Sequence, residues 1–271
     1  MNILHKEKEI TIADFRRSAL QNSQKALRLT EELELDFNRN VHELRVITKR
    51  LRSYWRAIRP ALGDKDIYTE HNSQLGGVTR LLTQSRENHV NRKLIKGFQK
   101  NIEGIAGKKF YNGLVSLFPN AEHIELPHKA PLTQCFVDEF SYWDQLNLDV
   151  FVTGVDQNEG IVNTYKKAKK LGERAISSNL EVEVTHQWRK WLKYLMYQLE
   201  VNPHTEEIDI RFLEQLNKQT KLLGKLHDLC VLSEIIYKAK GKVFTQDKVK
   251  KVRQVIDKKQ NKLHNKILKN H

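Results

Sequence analysis

Residues 41–60 (VHELRVITKRLRSYWRAIRP) concentrate side chains that could bind an anion. Helical geometry, at about 100° per residue, places one histidine and four cations within an arc of about 80°: His42, Arg45, Lys49, Arg52 and Arg56. Glu43 is the only acid in the segment, whereas a solvated basic helix face normally carries carboxylates for i,i+4 pairing. Because a stripe of like charges repels itself, the pattern favours a surface on which a polyanion binds.

The opposite side of the same segment is apolar. Apolar and aromatic residues fall between about 120° and 220° from His42 in the same projection: Leu44, Ile47, Leu51, Tyr54, Trp55 and Ile58. The sequence therefore predicts a helix over residues 38–59 that buries one face, exposes a basic face and ends before Pro60.

A second histidine, His186, begins a similar pattern in THQWRKWLKYLMYQLE, residues 185–200. Arg189 and Lys193 follow it at offsets of 3 and 7 residues, as two cations of the first segment follow the first histidine. The two histidines lie about half the chain apart. This spacing predicts a second basic helix of the same kind.

Further features repeat in the same order. A lysine stands 17 residues before each histidine, Lys25 in the first half and Lys169 in the second. About 40 residues after each histidine, LLTQSRENHV (81–90) and LLGKLHDLCV (222–231) fit one pattern of two leucines, a basic residue, an acid and a valine. Three matched features in one order predict the duplication of a helical bundle.

These motifs resemble the signatures of the CHAD family, the conserved histidine α-helical domain. VHELRVITKRLRS is similar to the first basic helix of the family, HQWRKWLKYLMY to the second, and LGKLHDL to a segment that follows it. The resemblance spans about residues 11–237, apart from residues 120–158. It implies an all-α fold of two helical bundles, related by internal pseudo-twofold symmetry around a basic groove or channel. It also implies non-catalytic binding of inorganic polyphosphate.

The resemblance implies ligand contacts by position: His42, Arg45, Lys49, Arg50, Arg52, His186, Arg189, Lys190 and Lys193. Helical geometry adds three further candidates: Arg56, Lys25 and Lys169. The second basic helix departs from the family pattern, because Tyr194 and Met196 stand where the first helix has arginines. We therefore expect the second half to bind the polymer more weakly or to hold a shorter stretch of it.

The elements that position these side chains are predicted to be helices. Their approximate ranges are 11–34, 38–59, 75–104 (one helix, or two with a break near Ser85), 110–118, 133–146, 160–178, 181–201, 205–237 and 245–269. A polar lead covers residues 1–10. A single domain then consists of a first helical half (about 11–119), an irregular connection (about 120–158) and a second half (about 159–271). Residues 148–155 have strand propensity but no partner strand, so they are interpreted as a linker or irregular buried segment.

The chain of 271 residues carries 47 Lys and Arg against 33 Asp and Glu, a formal net charge of +14. Its hydrophobic fraction of 39% is typical of folded proteins. No segment approaches the ~20 apolar residues that a membrane span requires, and the N-terminus lacks a signal-peptide pattern. Two cysteines, Cys135 and Cys230, form no disulfide framework. We expect a cytoplasmic protein, without cofactor or metal, whose partners are polyphosphate, polyphosphate granules or polyphosphate-handling enzymes.

Nucleic-acid binding is the main alternative, because RNA and DNA attract a basic surface by the same electrostatics. Proteins that bind single strands usually interleave aromatic side chains with the cations. Trp55 and Trp188 fall behind the two basic arcs, at about 220° and 200° from the respective histidines, and are predicted to be core residues. Their placement disfavours nucleic acid.

A phosphate-transfer enzyme is the third possibility. Phosphoryl transfer usually needs carboxylates that hold Mg²⁺ beside the cations, and the basic arcs contain none. His123, Glu125 and His128 could form a metal site, but no predicted helix or hairpin fixes them, so surface positions are favoured. Asp228 beside His227 is predicted to form a buried ion pair that joins helices rather than a catalytic pair.

Overall fold

The computed structural model describes residues 10–84, 87–118, 129–146, 151, 156, 158–201, 210–239 and 245–269. These residues form eleven α-helices: α1 (Ile12–Glu31), α2 (Phe37–Ile58), α3 (Lys65–Gln84), α4 (Glu87–Gly97), α5 (Gln99–Ala106), α6 (Lys108–Ser116), α7 (Lys129–Asp144), α8 (Glu159–Ser177), α9 (Val182–Leu199), α10 (Ile210–Lys238) and α11 (Gln246–Lys269). A 3-10 turn, Arg59–Ala61, follows α2. The predicted all-α class is confirmed.

Local signals set the starts of the two helices that carry the basic arcs. Asp36 caps α2, because its carboxylate accepts a hydrogen bond from the backbone N–H of Arg39 at 3.3 Å. The Glu181 carboxylate accepts from the backbone N–H groups of Glu183 and Val184 at 3.1 Å each, and α9 begins there. Both carboxylates lie at the positive end of the helix dipole, which stabilises them.

Two predicted helix starts are wrong. α3 begins at Lys65, well before its predicted start, because the Asp64 carboxylate accepts the N–H of Asp66 at 2.8 Å and caps an earlier turn. α7 begins at Lys129, inside the segment that was expected to be an irregular connection. Pro131 lies in its first turn, where the missing proline N–H removes no helical hydrogen bond.

The predicted helical region over residues 75–104 is divided among α3, α4 and α5. Four expectations fall wholly or mostly outside the described residues: the polar lead 1–10, the helix break near residue 85, the strand-like segment 148–155 and the helix start at residue 205. Within the strand-like segment, Phe151 forms an isolated antiparallel bridge with Leu62.

The two basic helices, α2 and α9, pack against each other. α2 also contacts α1 and α3, and α9 contacts α8 and α10, so both have the same order of neighbours. At their contact, Gln198 Nε2 donates to the carbonyl oxygen of Ser53 at 2.8 Å. α8 approaches α2 so closely that a Cβ on Gly160 would lie 1.8 Å from the carbonyl oxygen of Ala57. The repeated order agrees with pseudo-twofold symmetry, which stays a prediction.

Two apolar clusters stabilise the fold, and each combines residues from both halves of the chain. The larger cluster joins α1, α2, α3 and α7 with α8, α9 and the first part of α10. The smaller one joins α4, α5 and α6 with α11 and the second part of α10. The halves therefore share their cores, and the basic helices lie within this common framework. In the described part of the chain, no helix has the length and apolar character that a membrane crossing requires.

A buried carboxylate fixes the apolar side of α2. Glu139 of α7 is fully buried, and its Oε2 accepts hydrogen bonds from Trp55 Nε1 at 2.8 Å and Trp143 Nε1 at 3.2 Å. Its Oε1 lies 2.7 Å from His71 Nδ1 of α3. These contacts hold Trp55 on the side of α2 that faces away from the basic arc.

Candidate functional site

The division of α2 into an apolar and a basic side is present in the structure. All six predicted apolar residues of α2 are buried, whereas its arc cations are half-buried and His42 is exposed. On α9, Trp188 is buried in the same way, and Arg189 and Lys193 are half-buried. Trp55 and Trp188 are therefore core residues, as predicted.

The cations of α2 are held against α3. Arg45 Nη1 donates to Thr83 Oγ1, and Arg52 Nε donates to Asn72 Oδ1 at 3.0 Å. The Arg52 guanidinium lies within 3.9 Å of the position that a Cβ would occupy on Gly76. Arg80 Nη1 lies 3.7 Å from the same Cβ position, so α3 adds a cation that sequence reasoning missed. The sequence did contain one signal for this cation, because the adjacent Gly76 and Gly77 precede Arg80 by about one helical turn.

The first cation of α9 is held against α10 in a comparable way. Arg189 Nε donates to the carbonyl oxygen of Thr220 at 3.4 Å, and it lies 3.2 Å from the position of a Cβ on Gly224. Gly224 and Thr83 occupy the same place in the repeated Leu-Leu motif. Arg189 and Arg45, which match in the two basic helices, therefore contact matching positions on their neighbours.

The contact between α2 and α9 is also reciprocal. Arg50 Nη2 forms an ion pair with Glu200 Oε2 at 3.0 Å, and the Arg56 guanidinium lies 5.0 Å from the centre of the Tyr194 ring. Arg50 and Tyr194 each stand 8 residues after their histidine, and Arg56 and Glu200 each stand 14 residues after theirs. A twofold axis between the helices would produce such exchanged pairs.

Aromatic rings support these cations. Arg56 stacks 4.5 Å above Trp191, and both Arg50 and Lys193 lie over Tyr197, at 5.4 and 5.8 Å from its centre. Aromatic rings that each carry a cation therefore lie among the cations of the two basic helices, in addition to the buried Trp55 and Trp188. Tyr197 falls at about 20° from His186 in helical projection, within the second arc, so periodicity could have identified it.

The charges of the two arcs influence each other. Partial burial and the charges of Arg52 and Arg56 lower the pKa of Lys190. Partial burial and the charges of Arg189, Lys221 and Arg50 lower the pKa of Lys193, against the opposing charge of Glu200. Cations of α2 thus lie close to lysines of α9, in the region where the two helices meet. Lys221 of α10 joins this region and was not predicted.

His186 lies at the edge of this region. Burial lowers its pKa, and the charges of Arg189, Lys190 and Lys49 lower it further, while Glu183 raises it. Its ring lies 5.0 Å from that of His227 on α10. Burial and the charges of His186 and Arg189 lower the pKa of His227, with Asp228 acting in the opposite direction.

The outer lysines lie on α1 and α8. Lys25 Nζ forms an ion pair with Glu43 Oε2 at 2.8 Å, which together with the hydrogen bond lowers the pKa of Glu43. The Lys25 side chain therefore points toward α2, where it is paired with Glu43. Lys169 is exposed on α8. A ligand contact at either lysine stays a prediction.

One predicted interaction near the site is wrong. Asp228 is exposed, so it forms no buried ion pair with His227, because the turn of α10 directs adjacent residues to different sides. In the described residues, no group of three or more histidine, cysteine or acidic side chains is arranged to hold a metal ion. His123, Glu125 and His128 lie outside those residues. Cys135 and Cys230 are free thiols, and burial raises the pKa of Cys135 to about 12.

The site can also be compared with known proteins. A family model described as the CHAD domain matches residues 12–131 and 158–237, which include both basic helices and most of α10. The residues between these two ranges overlap the predicted irregular connection, 120–158, which also lies outside the resemblance found in the sequence. No curated protein and no solved structure gives a match.

Proposed function

The chain belongs to the CHAD domain family, and on that premise we propose that it binds inorganic polyphosphate between α2 and α9 without acting on it chemically. The observation that supports this proposal is the contact between the two basic helices: Arg56 of α2 stacks 4.5 Å above Trp191 of α9, and desolvation together with the charges of Arg52 and Arg56 lowers the pKa of Lys190 on α9. Such repulsion is relieved when an anion occupies the space between the cations.

The types of side chain suit a phosphate polymer. Arginine binds phosphate oxygens through a planar fork, while lysine acts as a movable point charge. Arg56, stacked on Trp191 and Tyr194, is already oriented before a ligand arrives, which reduces the entropy that binding costs. A polyphosphate carries charge on every unit and has no bases to recognise, so a row of oriented cations is sufficient.

A binding role is favoured over phosphoryl transfer because of where the carboxylates lie. Transfer enzymes hold Mg²⁺ with free carboxylates beside the transferred group. Glu43 of α2 and Glu200, just after α9, are paired with Lys25 and Arg50 instead, and Glu183 of α9 accepts a hydrogen bond from Gln187 Nε2 at 2.9 Å. We therefore propose that any enzyme that acts on the polymer is a separate partner, and that polyphosphate granules are a second one.

Polyphosphate binding should depend steeply on salt and on chain length. Neutralising about six phosphates releases condensed counterions, so the affinity should fall on the order of 10³-fold between 50 and 200 mM salt. Long chains should bind more tightly than orthophosphate, because each added phosphate engages further cations. Filter binding with labelled long-chain polyphosphate measures both effects.

Competition by single-stranded RNA of similar charge separates the proposal from the nucleic-acid alternative. RNA that displaces polyphosphate at equal charge concentration and physiological salt would contradict the proposal. Equal affinity for orthophosphate and long chains would instead indicate a small-anion site and favour an enzyme.

Binding should also strengthen as the pH falls through the range just below 6.5. The lowered pKa values of His186 and His227 keep both rings neutral at pH 7, and a bound anion favours the charged form. Binding therefore takes up protons, and each coupled proton can raise the affinity up to about tenfold per pH unit. The facing charges are Glu183, Arg189, Lys190, Lys49 and Asp228.

The measurement compares dissociation constants at pH 5.5 and 7.5 for the natural protein and for His186→Asn. The variant should lose part of the pH dependence, because asparagine does not titrate in this range. An unchanged pH profile in the variant would mean that His186 does not contact the polymer.

A further inference from the structure

A cavity of about 270 Å³ lies between α9, α10 and α11, next to the basic arc of α9. Its polar lining consists mainly of residues from these three helices: Thr185, His186, Arg189, His227, Gln260 and Asn261. Arg189 and His186 therefore belong both to the basic arc of α9 and to this cavity.

The cavity contains polar atoms that lack a partner among the described residues. Thr185 is only 6% exposed, and its Oγ1 forms no hydrogen bond there. His186 Nδ1 is buried and lacks a partner in the same way. Buried polar atoms of native proteins are nearly always hydrogen-bonded, and exceptions call for an explanation. A polar ligand in the cavity would satisfy both atoms.

The charges of the cavity select the sign of that ligand. Arg189 is permanently charged, and the rings of His186 and His227, 5.0 Å apart, can each donate to an anion held between them. None of the described residues that line the cavity carries a carboxylate. With His264 and Asn179, which also line the cavity, the lining combines up to four cations with a hydroxyl and three amides, a donor set that suits an oxyanion.

The backbone of the turn that lines one side of the cavity is strained. Asn179 and Leu180, in the turn between α8 and α9, have φ angles of 55° and 56°, in the left-handed region that a branched residue such as leucine rarely adopts. The carbonyl oxygen of Asn179 lies 3.0 Å from His264 Nε2, which ties the turn to α11. Strained backbone of this kind clusters at binding sites, because the surrounding structure must hold it in place.

We propose that this cavity binds a terminal phosphate group. The group is either the end of a polyphosphate chain that lies between α2 and α9 or free orthophosphate. The inference rests on the proposed function. A terminal phosphate exposes one more non-bridging oxygen than an interior one and carries additional charge near neutral pH, so it matches the larger number of donors.

Linear tripolyphosphate and cyclic trimetaphosphate test this assignment, because the cyclic molecule has no terminal group. Titration calorimetry should show that Thr185→Val weakens linear tripolyphosphate at least fivefold and changes trimetaphosphate less than twofold. Thr164→Val is the matched control: this buried threonine of α8 donates to the carbonyl oxygen of Gly160, outside the cavity. It should change the binding of either molecule less than twofold. Ring resonances of His227 should shift on addition of the linear molecule alone.

His227→Gln provides a second variant, to be used if Thr185→Val fails to fold by circular dichroism, and it should weaken linear tripolyphosphate at least fivefold. Orthophosphate that binds as tightly as tripolyphosphate would assign the cavity to free phosphate, and weaker binding would assign it to chain ends. Equal responses of the linear and cyclic molecules to both variants would overturn the inference. If long chains still bind in that case, the proposed function stands; if they fail to bind at all, the proposed function falls instead.

Discussion

Replacing Arg45 and Lys49 by alanine should weaken the binding of long-chain polyphosphate about 100-fold, and more than the same change at Arg189 and Lys193. A hydrogen bond to a charged group contributes about 1.5–3 kcal/mol, so the loss of two such contacts removes about 3 kcal/mol or more. The first arc also holds the denser row of cations, and a chain that loses this row has fewer alternative contacts.

The structure gives a reason why the two helices should differ. At the angles that Arg52 and Arg56 have on α2, α9 carries the buried Met196 and the acid Glu200. Glu200, which pairs with Arg50 of α2, brings a negative charge to the position at which α2 has a positive one. The α9 arc therefore offers fewer charges to a polyanion than the α2 arc.

A matched control is available on α11, where Lys250→Ala with Lys258→Ala removes the same two charges from exposed positions. This control should weaken binding less than about threefold, since general attraction to a basic surface is all that it loses. Circular dichroism should show that all three double variants fold, because their side chains lie outside the core. If the α9 variant loses as much affinity as the α2 variant, cation number does not set the affinity. If the α11 control does, the polymer binds the whole basic surface.

The parts of the site that were predictable from the sequence are those that depend on a single helix. The basic arc and the buried face of α2 follow from residue spacing, because charge and hydrophobicity repeat with the period of the helix. The same argument placed Trp55 and Trp188 in the core. Resemblance to a family then extended these local patterns to the binding of a polymer.

The parts that were missed depend on contacts between distant segments. Arg80 joins the site only because α3 packs on α2, and the pairing of Arg50 with Glu200 requires the contact between α2 and α9. No period in the sequence encodes such contacts. The early start of α3 is a different case, because aspartate is a common N-cap residue and Asp64 is visible in the sequence as a possible helix start.

Replacing Glu139 by alanine should lower the free energy of unfolding by about 3–5 kcal/mol. The carboxylate is fully buried and is the acceptor for Trp55 Nε1 and Trp143 Nε1, while His71 Nδ1 lies 2.7 Å from its other oxygen. Removing this carboxylate leaves two tryptophan N–H donors and a histidine ring nitrogen buried without their partner, and each unsatisfied buried group costs about 1–3 kcal/mol. Thermal unfolding should show a midpoint lowered by roughly 10 °C.

One further variant keeps the volume of the Glu139 side chain, and a second serves as a surface control. Glu139→Gln retains one acceptor oxygen, so it should destabilise the fold less than Glu139→Ala. Asp138→Ala, at the exposed neighbouring position, should change stability by no more than about 0.5 kcal/mol. A loss below about 1 kcal/mol for Glu139→Ala would show that the surrounding donors find other acceptors.

The two largest effects should also be independent of each other, because Glu139 supports the side of α2 opposite the basic arc. At a temperature at which Glu139→Ala remains folded, its affinity for polyphosphate should lie within about threefold of the natural protein. Saturating polyphosphate should then raise the unfolding midpoints of both proteins by similar amounts, since ligand binding stabilises only the folded state. The Arg45 and Lys49 double variant should behave in the opposite way, with an unchanged midpoint and little stabilisation by the polymer. A large loss of affinity in folded Glu139→Ala would mean that the buried carboxylate also sets the direction in which the cations of α2 face.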